Sequence, residues 1–250
     1  MATFEDRIRN IVNDREHGSS TLVAMILDVL RGVSCPAPDK RQVRWALAEL
    51  RRIDPSMVVV HHLLENLGGD PGPDFPQQLD RYEARWSGVD RQVALHLLGA
   101  RDWSHARVLT HSHSGTLLSV IRQVHRACPS LTVVQTRSEP GSEGVLQYQR
   151  LSDDDVPCQL VTDGEALAMA GTVDAAWFGV DQYNSEHFVN KRGSGALTNA
   201  LLGAGKPVFI LGDSRKRVRR LNYSAALFEA VPLQRGILLV TEDGVQPAAP

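Results

Sequence analysis

The sequence contains few cysteines and no long apolar run. Its three cysteines, Cys35, Cys128 and Cys158, are too scattered for a disulfide scaffold, and no Cys-x-x-Cys pair is present to bind zinc. No stretch approaches the roughly 18–20 apolar residues of a membrane-spanning helix. The first ten residues include acids and lack the apolar segment of a signal peptide. We therefore expect a cytoplasmic protein that binds neither a metal nor a membrane.

Neither sign of charge is in excess. Lysine and arginine number 27 and aspartate and glutamate 29, so the formal net charge is −2. This balance argues against a protein that binds nucleic acid directly. A length of 250 residues, 42% of them hydrophobic, fits one large soluble domain or two small ones. Lysine is scarce beside arginine, and Lys191 is one of only four lysines.

The spacing of apolar residues changes from helical to strand-like at about residue 105. Before this point they recur at helical spacing, as in the stretch from Leu22 to Leu30. After it, short apolar runs alternate with helical patterns; the runs begin at Arg107, Leu131, Cys158, Val173, Val208 and Leu238. This alternation predicts a parallel sheet covered on both faces. We therefore predict an α/β protein, with a helical N-terminal domain over residues 1–102 and a Rossmann-like parallel sheet domain over residues 103–250.

Polar clusters follow three of the predicted strands. In an open α/β sheet, ligands bind outside the carboxyl ends of the strands. The clusters are His111-Ser112-His113-Ser114-Gly115 after the first strand, Arg137 with a Gly/Ser-rich loop after the second, and Asp181 after the fourth, with a loop carrying Asn190 and Lys191 beyond it. The expected convergence of these clusters predicts a binding site at this edge of the sheet.

Each cluster has both a functional and a structural interpretation. The helix that begins at Gly115 favours a phosphate at its N-terminus, and an arginine such as Arg137 suits bidentate phosphate binding. Asp181 and Lys191 are candidates for an acid–base pair. Equally, the serine-rich turn is compatible with a helix cap, Arg137 with a surface position, and Asp181 with a cap or turn.

Several common binding motifs are missing from the sequence. There is no G-x-G-x-x-G after the first strand and no G-x-x-x-x-G-K-[ST], which argues against a dinucleotide site and a P-loop. Ser112 lacks the glycines of a G-x-S-x-G nucleophile elbow. His111 and His113 lack the cysteine or carboxylate partners of a metal site. We expect no cofactor.

A series of motifs spanning nearly the whole chain resembles one known family. This family joins the alpha, beta and delta subunits of translation initiation factor 2B with ribose-1,5-bisphosphate isomerase and methylthioribose-1-phosphate isomerase. The motifs are Asp14-Arg15-Glu16-His17-Gly18-Ser19-Ser20-Thr21-Leu22, Leu109-Thr110-His111-Ser112-His113-Ser114, Thr136-Arg137 with Glu143-Gly144, Gly179-Val180-Asp181, Val189-Asn190-Lys191-Arg192-Gly193, Phe228-Glu229-Ala230-Val231-Pro232 and Val240-Thr241-Glu242-Asp243-Gly244.

The resemblance implies a pocket for a phosphorylated sugar or nucleotide between two domains, and a homodimer or higher homo-oligomer. In the isomerases a cysteine and an aspartate convert an aldose 1-phosphate into a ketose. The aspartate corresponds to Asp181, and the position of the cysteine is held by Ser112. The resemblance and the strand-end clusters together give the expected substrate-binding residues: His17, Gly18, Ser19, His111, His113, Ser114, Gly115, Arg137, Asn190 and Lys191.

The sequence departs from the isomerases at three places. Ser112 replaces the catalytic cysteine, and a serine hydroxyl is far less acidic than a thiol. His17 stands where the isomerases carry a phosphate-binding arginine, and the loop after Arg137 is longer than theirs. Two functions remain open: a sugar-phosphate isomerase with altered chemistry, and a noncatalytic binding subunit like those of the initiation factor. We favour a sugar-phosphate or nucleotide monophosphate site.

Overall fold

A computed structural model describes residues 2–14, 18–34 and 38–248. The chain divides into two compact units, residues 1–87 and residues 88–250. Helices fill the first unit and a mostly parallel sheet organises the second, which confirms the predicted fold class. His17 and Cys35 lie outside the described residues.

The first unit consists of helices in the part of it that the structure describes. They are α1 (Phe4–Asn13), α2 (Ser19–Gly32), α3 (Lys40–Leu50), α4 (Val58–Leu67) and α5 (Phe75–Trp86). Thr3 and Asp6 form a capping box that starts α1, and Asp39 caps α3 through the amides of Arg41 and Gln42. The apolar faces that predicted these helices pack into one core.

The second unit begins with a helix and continues as strands alternating with helices. Its helices are α6 (Val89–Ala100), α7 (Gly115–Ala127), α8 (Glu143–Asp153), α9 (Asp163–Ala168) and α10 (Ser194–Gly203). Its strands are β1 (Arg107–His111), β2 (Thr132–Thr136), β3 (Cys158–Val161), β4 (Ala175–Gly179), β5 (Gln182–Tyr183), β6 (His187–Lys191), β7 (Val208–Leu211), β8 (Phe228–Pro232), β9 (Ile237–Thr241) and β10 (Gly244–Pro247).

Seven of these strands form the main sheet, in the order β10-β9-β7-β4-β1-β2-β3. All neighbours are parallel except β10, which runs antiparallel to β9. The central strands are buried along their whole length, as expected for a sheet covered on both faces. On one face Trp103 packs edge-on against Trp177 and Phe209. The parallel order brings the ends of β1, β2, β4 and β7 to one edge.

A second, antiparallel sheet in the order β5-β6-β8 corrects one sequence-based prediction. Asn190 and Lys191 were expected in a loop, but they are the last two residues of β6. Their backbones pair with Glu229 and Phe228 of β8. The partner strand lies almost 40 residues away in sequence, so local pattern does not reveal the pairing. The strand fixes both side chains more firmly than a loop would.

The helix α6 packs against α7 and β9 and so belongs to the second unit. The domain boundary between residues 102 and 103 stays a prediction. Across the residues that the structure describes, no helix combines the length and the apolar character needed to cross a bilayer.

Candidate functional site

The turn after β1 holds Ser112 in an unusual backbone conformation. Its φ is +69°, in the left-handed region that residues other than glycine seldom adopt. The Ser112 amide donates to Ser138 Oγ at 2.7 Å, and its carbonyl accepts from Gln135 Nε2 at 3.1 Å. The Ser112 hydroxyl makes no hydrogen bond to any residue that the structure describes. The backbone is therefore fixed on both sides while the hydroxyl stays available to a ligand.

His111 connects this turn to the loop before α10. Its Nε2 lies 2.9 Å from the Arg192 carbonyl, and its Nδ1 lies 2.7 Å from Thr136 Oγ1. A carbonyl only accepts, so we assign the proton to Nε2, and Nδ1 accepts from the threonine hydroxyl. Burial lowers the pKa of His111, although its bond to the Arg192 carbonyl opposes the change. The predicted substrate-binding His111 thus has protein partners on both nitrogens, which supports a positioning role.

The first turn of α7 presents free backbone amides. Ser114 caps the helix by accepting from the Leu117 amide at 3.3 Å. The amides of Gly115 and Thr116 have no acceptor within the described part of the chain. Free amides and the helix dipole make the N-terminus of a helix of 13 residues attractive to an anion.

Gln147 of α8 holds the same turn through its side-chain oxygen. Its Oε1 lies 2.7 Å from His113 Nδ1 and 3.3 Å from the Ser114 amide. Gln147 is fully buried, and its Nε2 has no hydrogen-bond partner among the described residues. An unsatisfied buried donor is costly. Its position beside the Ser112 turn is therefore an independent sign that a polar ligand completes the site.

The end of β4 meets the Ser114 cap. A β-carbon added to Gly179 would come within 2.7 Å of Ser114 Cβ, so a side chain does not fit at this crossing. Asp181 follows two residues later. The residue as a whole is exposed, while the protein atoms packed around its carboxyl group raise the pKa of that group. The charge of Lys216 partly opposes this shift.

Lys216 also lies beside the candidate site, although no sequence motif indicates it. Its Nζ donates to the Val180 carbonyl at 2.6 Å, which places the ammonium beside the Asp181 segment. The scarcity of lysine that drew attention to Lys191 applies equally to Lys216. A second carboxylate near Lys216 is that of Asp90 in α6. Burial raises the pKa of Asp90, although hydrogen bonds from Thr116 and Ser119 oppose the change. Asp90 thus connects α6 to the first turns of α7.

Lys191 reaches the loop that follows β2. Its side chain is 1% exposed, and Nζ lies 2.7 Å from Glu143 Oε1 and also donates to the Pro140 carbonyl. Neighbouring Asn190 donates to Ser194 Oγ at 3.0 Å. Both predicted site residues are therefore held by the protein itself, and the charge of Lys191 is paired.

Arg137 begins this same loop. Its backbone is fixed, since its amide donates to Val161 and its carbonyl accepts from Gly144. Its side chain is exposed and has no hydrogen-bond or ion-pair partner among the residues described. Arg137 therefore lies in the segment between β2 and α8, and Lys191 contacts the same segment, at one end of the sheet.

The structure thus brings most of the predicted residues of the sheet domain together. His111, Ser112, His113, Ser114, Gly115, Arg137, Asp181, Asn190 and Lys191 all lie at the carboxyl edge of the main sheet or on the segments bonded to it. Gly18 and Ser19 begin α2 in the first unit. Among the described residues, no group of three or more His, Cys, Asp or Glu side chains is arranged to hold a metal ion.

Neither described cysteine can take the place of a thiol at position 112. Cys128 lies at the opposite end of α7, a helix of 13 residues and therefore about 20 Å long. Cys158 begins β3, and burial raises the pKa of its thiol to about 12. Both are free cysteines.

Comparison with known proteins identifies the family. The model for the initiation factor 2 subunit family matches residues 88–245. The chain belongs to this family. The resemblance drawn from the sequence motifs is therefore confirmed. The match covers nearly all of the second unit, including every site residue placed in it.

Relatives in this family have different printed functions. Translation initiation factor eIF2B subunit alpha of Caenorhabditis elegans is 26% identical over 164 residues, which are 61% of this chain and 52% of that protein. Ribose 1,5-bisphosphate isomerase of Archaeoglobus fulgidus is 26% identical over 110 residues, which are 44% and 35% of the two chains. The matched regions thus span about half or less of these relatives.

A solved structure shows the same fold over almost the whole chain. The translation initiation factor eIF-2B of Pyrococcus horikoshii superimposes with a TM-score of 0.83 at 20% identity, covering 98% of this chain and 96% of that one. At this identity the likeness establishes the fold alone.

Proposed function

We propose that this protein binds a phosphorylated sugar or nucleotide monophosphate at the carboxyl edge of its main sheet. The proposal rests on one observation: the Ser112 hydroxyl and, shortly after it in the chain, the Gly115 and Thr116 amides are all without hydrogen-bond partners among the described residues. The amides suit a phosphate, and the hydroxyl suits the neighbouring sugar. The unpaired Nε2 of buried Gln147 beside the turn supports the same conclusion.

Positive charge around the turn favours an anionic ligand. Arg137 is exposed and unpaired in the described structure, so its guanidinium is available to clamp a phosphate. Lys191, the last residue of β6, places a second cation against the same loop, although Glu143 neutralises it. The relative named ribose 1,5-bisphosphate isomerase supports a phosphorylated sugar as the substrate class.

The residues that would move protons differ from those that would bind phosphate. In the isomerase interpretation, Asp181 and the residue at position 112 transfer protons during an aldose-to-ketose conversion. The protein atoms around the Asp181 carboxyl raise its pKa, which is the direction that favours an acid–base role. Ser112 offers only a weakly acidic hydroxyl, whereas a thiol has a reference pKa of about 8.5. We therefore propose tight binding with slow or absent turnover.

The alternative function is a noncatalytic binding subunit, as in the initiation factor. The replacement of the catalytic thiol by Ser112 favours it, and the relative named eIF2B subunit alpha supports it. Both functions use the same anion site. A homodimer or higher homo-oligomer in the cytoplasm, expected from the resemblance and composition, stays a prediction.

The first test is binding. Isothermal titration calorimetry of the whole chain would compare ribose 1,5-bisphosphate, methylthioribose 1-phosphate and AMP with inorganic phosphate. Arg137→Ala should weaken binding of the best ligand by about 1.5–3 kcal/mol, the value of hydrogen bonds to charged groups. Arg219→Ala, which removes another exposed arginine, is the matched control and should change nothing. Equal binding by wild type and Arg137→Ala would remove Arg137 from the site.

The second test is turnover of whichever sugar 1-phosphate binds, followed by phosphorus NMR. If the protein is an isomerase limited by its hydroxyl, Ser112→Cys should raise turnover and Asp181→Asn should abolish it. General acid–base groups contribute about 10²–10⁴-fold, so the difference is measurable. If a bound sugar 1-phosphate is turned over by neither wild type nor Ser112→Cys, the noncatalytic function stands. If wild type turns over and Ser112→Ala is equally active, the assignment of position 112 is wrong.

A further inference from the structure

A second cleft lies in the sheet domain and is lined by residues other than those of the Ser112 turn. It has a volume of about 170 Å³ and lies between β5 and the edge formed by β7, β9 and β10. Ile210, Leu233 and Leu239 give it an apolar wall. None of the predicted site residues lines it. All its lining residues belong to the second unit, so the cleft is a feature of that unit alone.

Tyr183 and Arg217 stand side by side in this cleft. They form a parallel bridge, with the Val218 amide donating to the Tyr183 carbonyl at 2.9 Å. Bridge partners project their side chains to the same side of a sheet. Tyr183 is 6% exposed, and its hydroxyl has no hydrogen bond to any described residue. Burial, aided by the charge of Glu242, raises the pKa of Tyr183 to about 12, so the phenol remains a donor at neutral pH.

The cleft also carries one cation and one anion that do not pair with each other. Arg217 and Asp243 both line it, and neither side chain has an ionic partner within the described residues. The two neighbouring carboxylates are already engaged. Glu242 accepts from the Ser214 amide at 3.0 Å, and Asp213 is paired with Arg215. The residues that line the cleft therefore carry one positive charge, on Arg217, and one negative charge, on Asp243.

We propose that this cleft binds an apolar α-amino acid in its zwitterionic form. The ligand carboxylate would bind Arg217 and the Tyr183 hydroxyl, and its ammonium would bind Asp243. The side chain would lie along Leu233 and Leu239. A phosphate dianion would be attracted by Arg217 but repelled by Asp243. A simple amine would be attracted by Asp243 but repelled by Arg217. A zwitterion alone matches both charges and the apolar wall.

This proposal does not rest on the function proposed for the Ser112 site, because the two sites share no residue. The test is calorimetric titration of the whole chain with L-leucine, L-methionine and L-phenylalanine. Two analogues remove one charge each: 4-methylpentanoate lacks the ammonium, and 3-methylbutylamine lacks the carboxylate. Inorganic phosphate tests a plain anion site. We expect an amino acid to bind at least tenfold more tightly than either analogue or phosphate.

Variants then locate the binding. Arg217→Gln and Asp243→Asn should each weaken it by about 10-fold to 100-fold, and Tyr183→Phe by about fivefold. Arg219→Gln, a nearby exposed arginine outside the cleft, should leave it unchanged. Because Asp243 is exposed, Asp243→Asn keeps the test valid even if Tyr183→Phe does not fold. The proposal is overturned if no amino acid binds at concentrations up to about 10 mM. It is also overturned if an analogue or phosphate binds as tightly as the amino acids, or if Arg217→Gln and Asp243→Asn bind an amino acid with wild-type affinity.

Discussion

A buried ion pair joins Asp213 to Arg215, the residue that precedes Lys216 in the sequence. Arg215 Nε lies 2.8 Å from Asp213 Oδ1 and Nη2 lies 3.0 Å from Oδ2, with side-chain exposures of 6% and 1% for the arginine and the aspartate. Arg215→Met removes the cation and leaves the aspartate buried without its main partner. Breaking a buried pair from one side costs about 3–5 kcal/mol. We expect Arg215→Met to destabilise the protein by this amount.

Thermal unfolding measures the loss. For a chain of this size, 1 kcal/mol corresponds to roughly 2–4 °C, so Tm should fall by about 6–20 °C. Arg219→Met removes an exposed arginine nearby and should stay within about 0.5 kcal/mol of wild type. The double variant Asp213→Leu with Arg215→Met should recover most of the loss, because apolar residues often replace buried ion pairs without cost. A loss below about 1 kcal/mol in Arg215→Met would refute the reasoning.

The pH dependence of this loss supplies an independent check. Burial alone would raise the pKa of Asp213, but the hydrogen bonds and charge of Arg215 hold it below its ordinary value. A lowered native pKa stabilises the protein above the unfolded pKa of about 3.9, and the contribution disappears as the pH falls through the native pKa. In Arg215→Met, burial favours the neutral acid. The stability gap between wild type and variant should therefore begin to narrow above about pH 4, as Asp213 of the variant takes up a proton, and should continue to narrow as the pH falls below about 4.

Two further substitutions test the start of α8, which follows the loop after β2. Gly144→Ala should destabilise the protein by about 1–3 kcal/mol or more in thermal unfolding, because the added β-carbon would lie 1.8 Å from the Thr136 carbonyl oxygen. The control is Gly164→Ala, which has open space around it and should be neutral or stabilising. Glu143→Gln should tighten sugar-phosphate binding severalfold in calorimetry, because it removes the carboxylate charge that neutralises Lys191. Weaker binding would contradict this and would show that Glu143 holds the loop in the conformation that binds the ligand.

The main sheet could be predicted because each of its parallel strands is a short apolar run. Val208–Leu211 is buried at every position, and its apolar sequence alone predicts a strand, whatever strands pair with it. The small sheet could not be predicted in this way. β5 has only two residues, and β6 ends in Asn190 and Lys191, a polar pair followed by a glycine-rich segment typical of a loop. Its stability comes from pairing with a distant strand, which no local pattern records.

The candidate site was predictable to a similar degree. Its location followed from the rule that ligands bind at the carboxyl ends of parallel strands, and the polar residues after β1 and β4 marked it. Two features depended on tertiary contacts and were missed. Lys216 reaches the Val180 carbonyl from beyond β7, and Asp90 comes from a helix expected in the other domain. No local pattern in the sequence indicates that Glu143 neutralises Lys191, because the two residues are 48 positions apart.

The arrangement of the site separates binding from chemistry. The groups suited to a phosphate are the amides of Gly115 and Thr116 and the Arg137 guanidinium, and none of them depends on the side chain at position 112. The backbone of Ser112 is held in its left-handed turn by Ser138 and Gln135, also without its hydroxyl. Exchange between thiol and hydroxyl at this position should therefore change kcat while leaving ligand affinity nearly constant. Under the proposed function, one substitution at position 112 would remove catalysis and leave the ligand bound, so binding and turnover must be measured separately to distinguish an isomerase from a binding subunit.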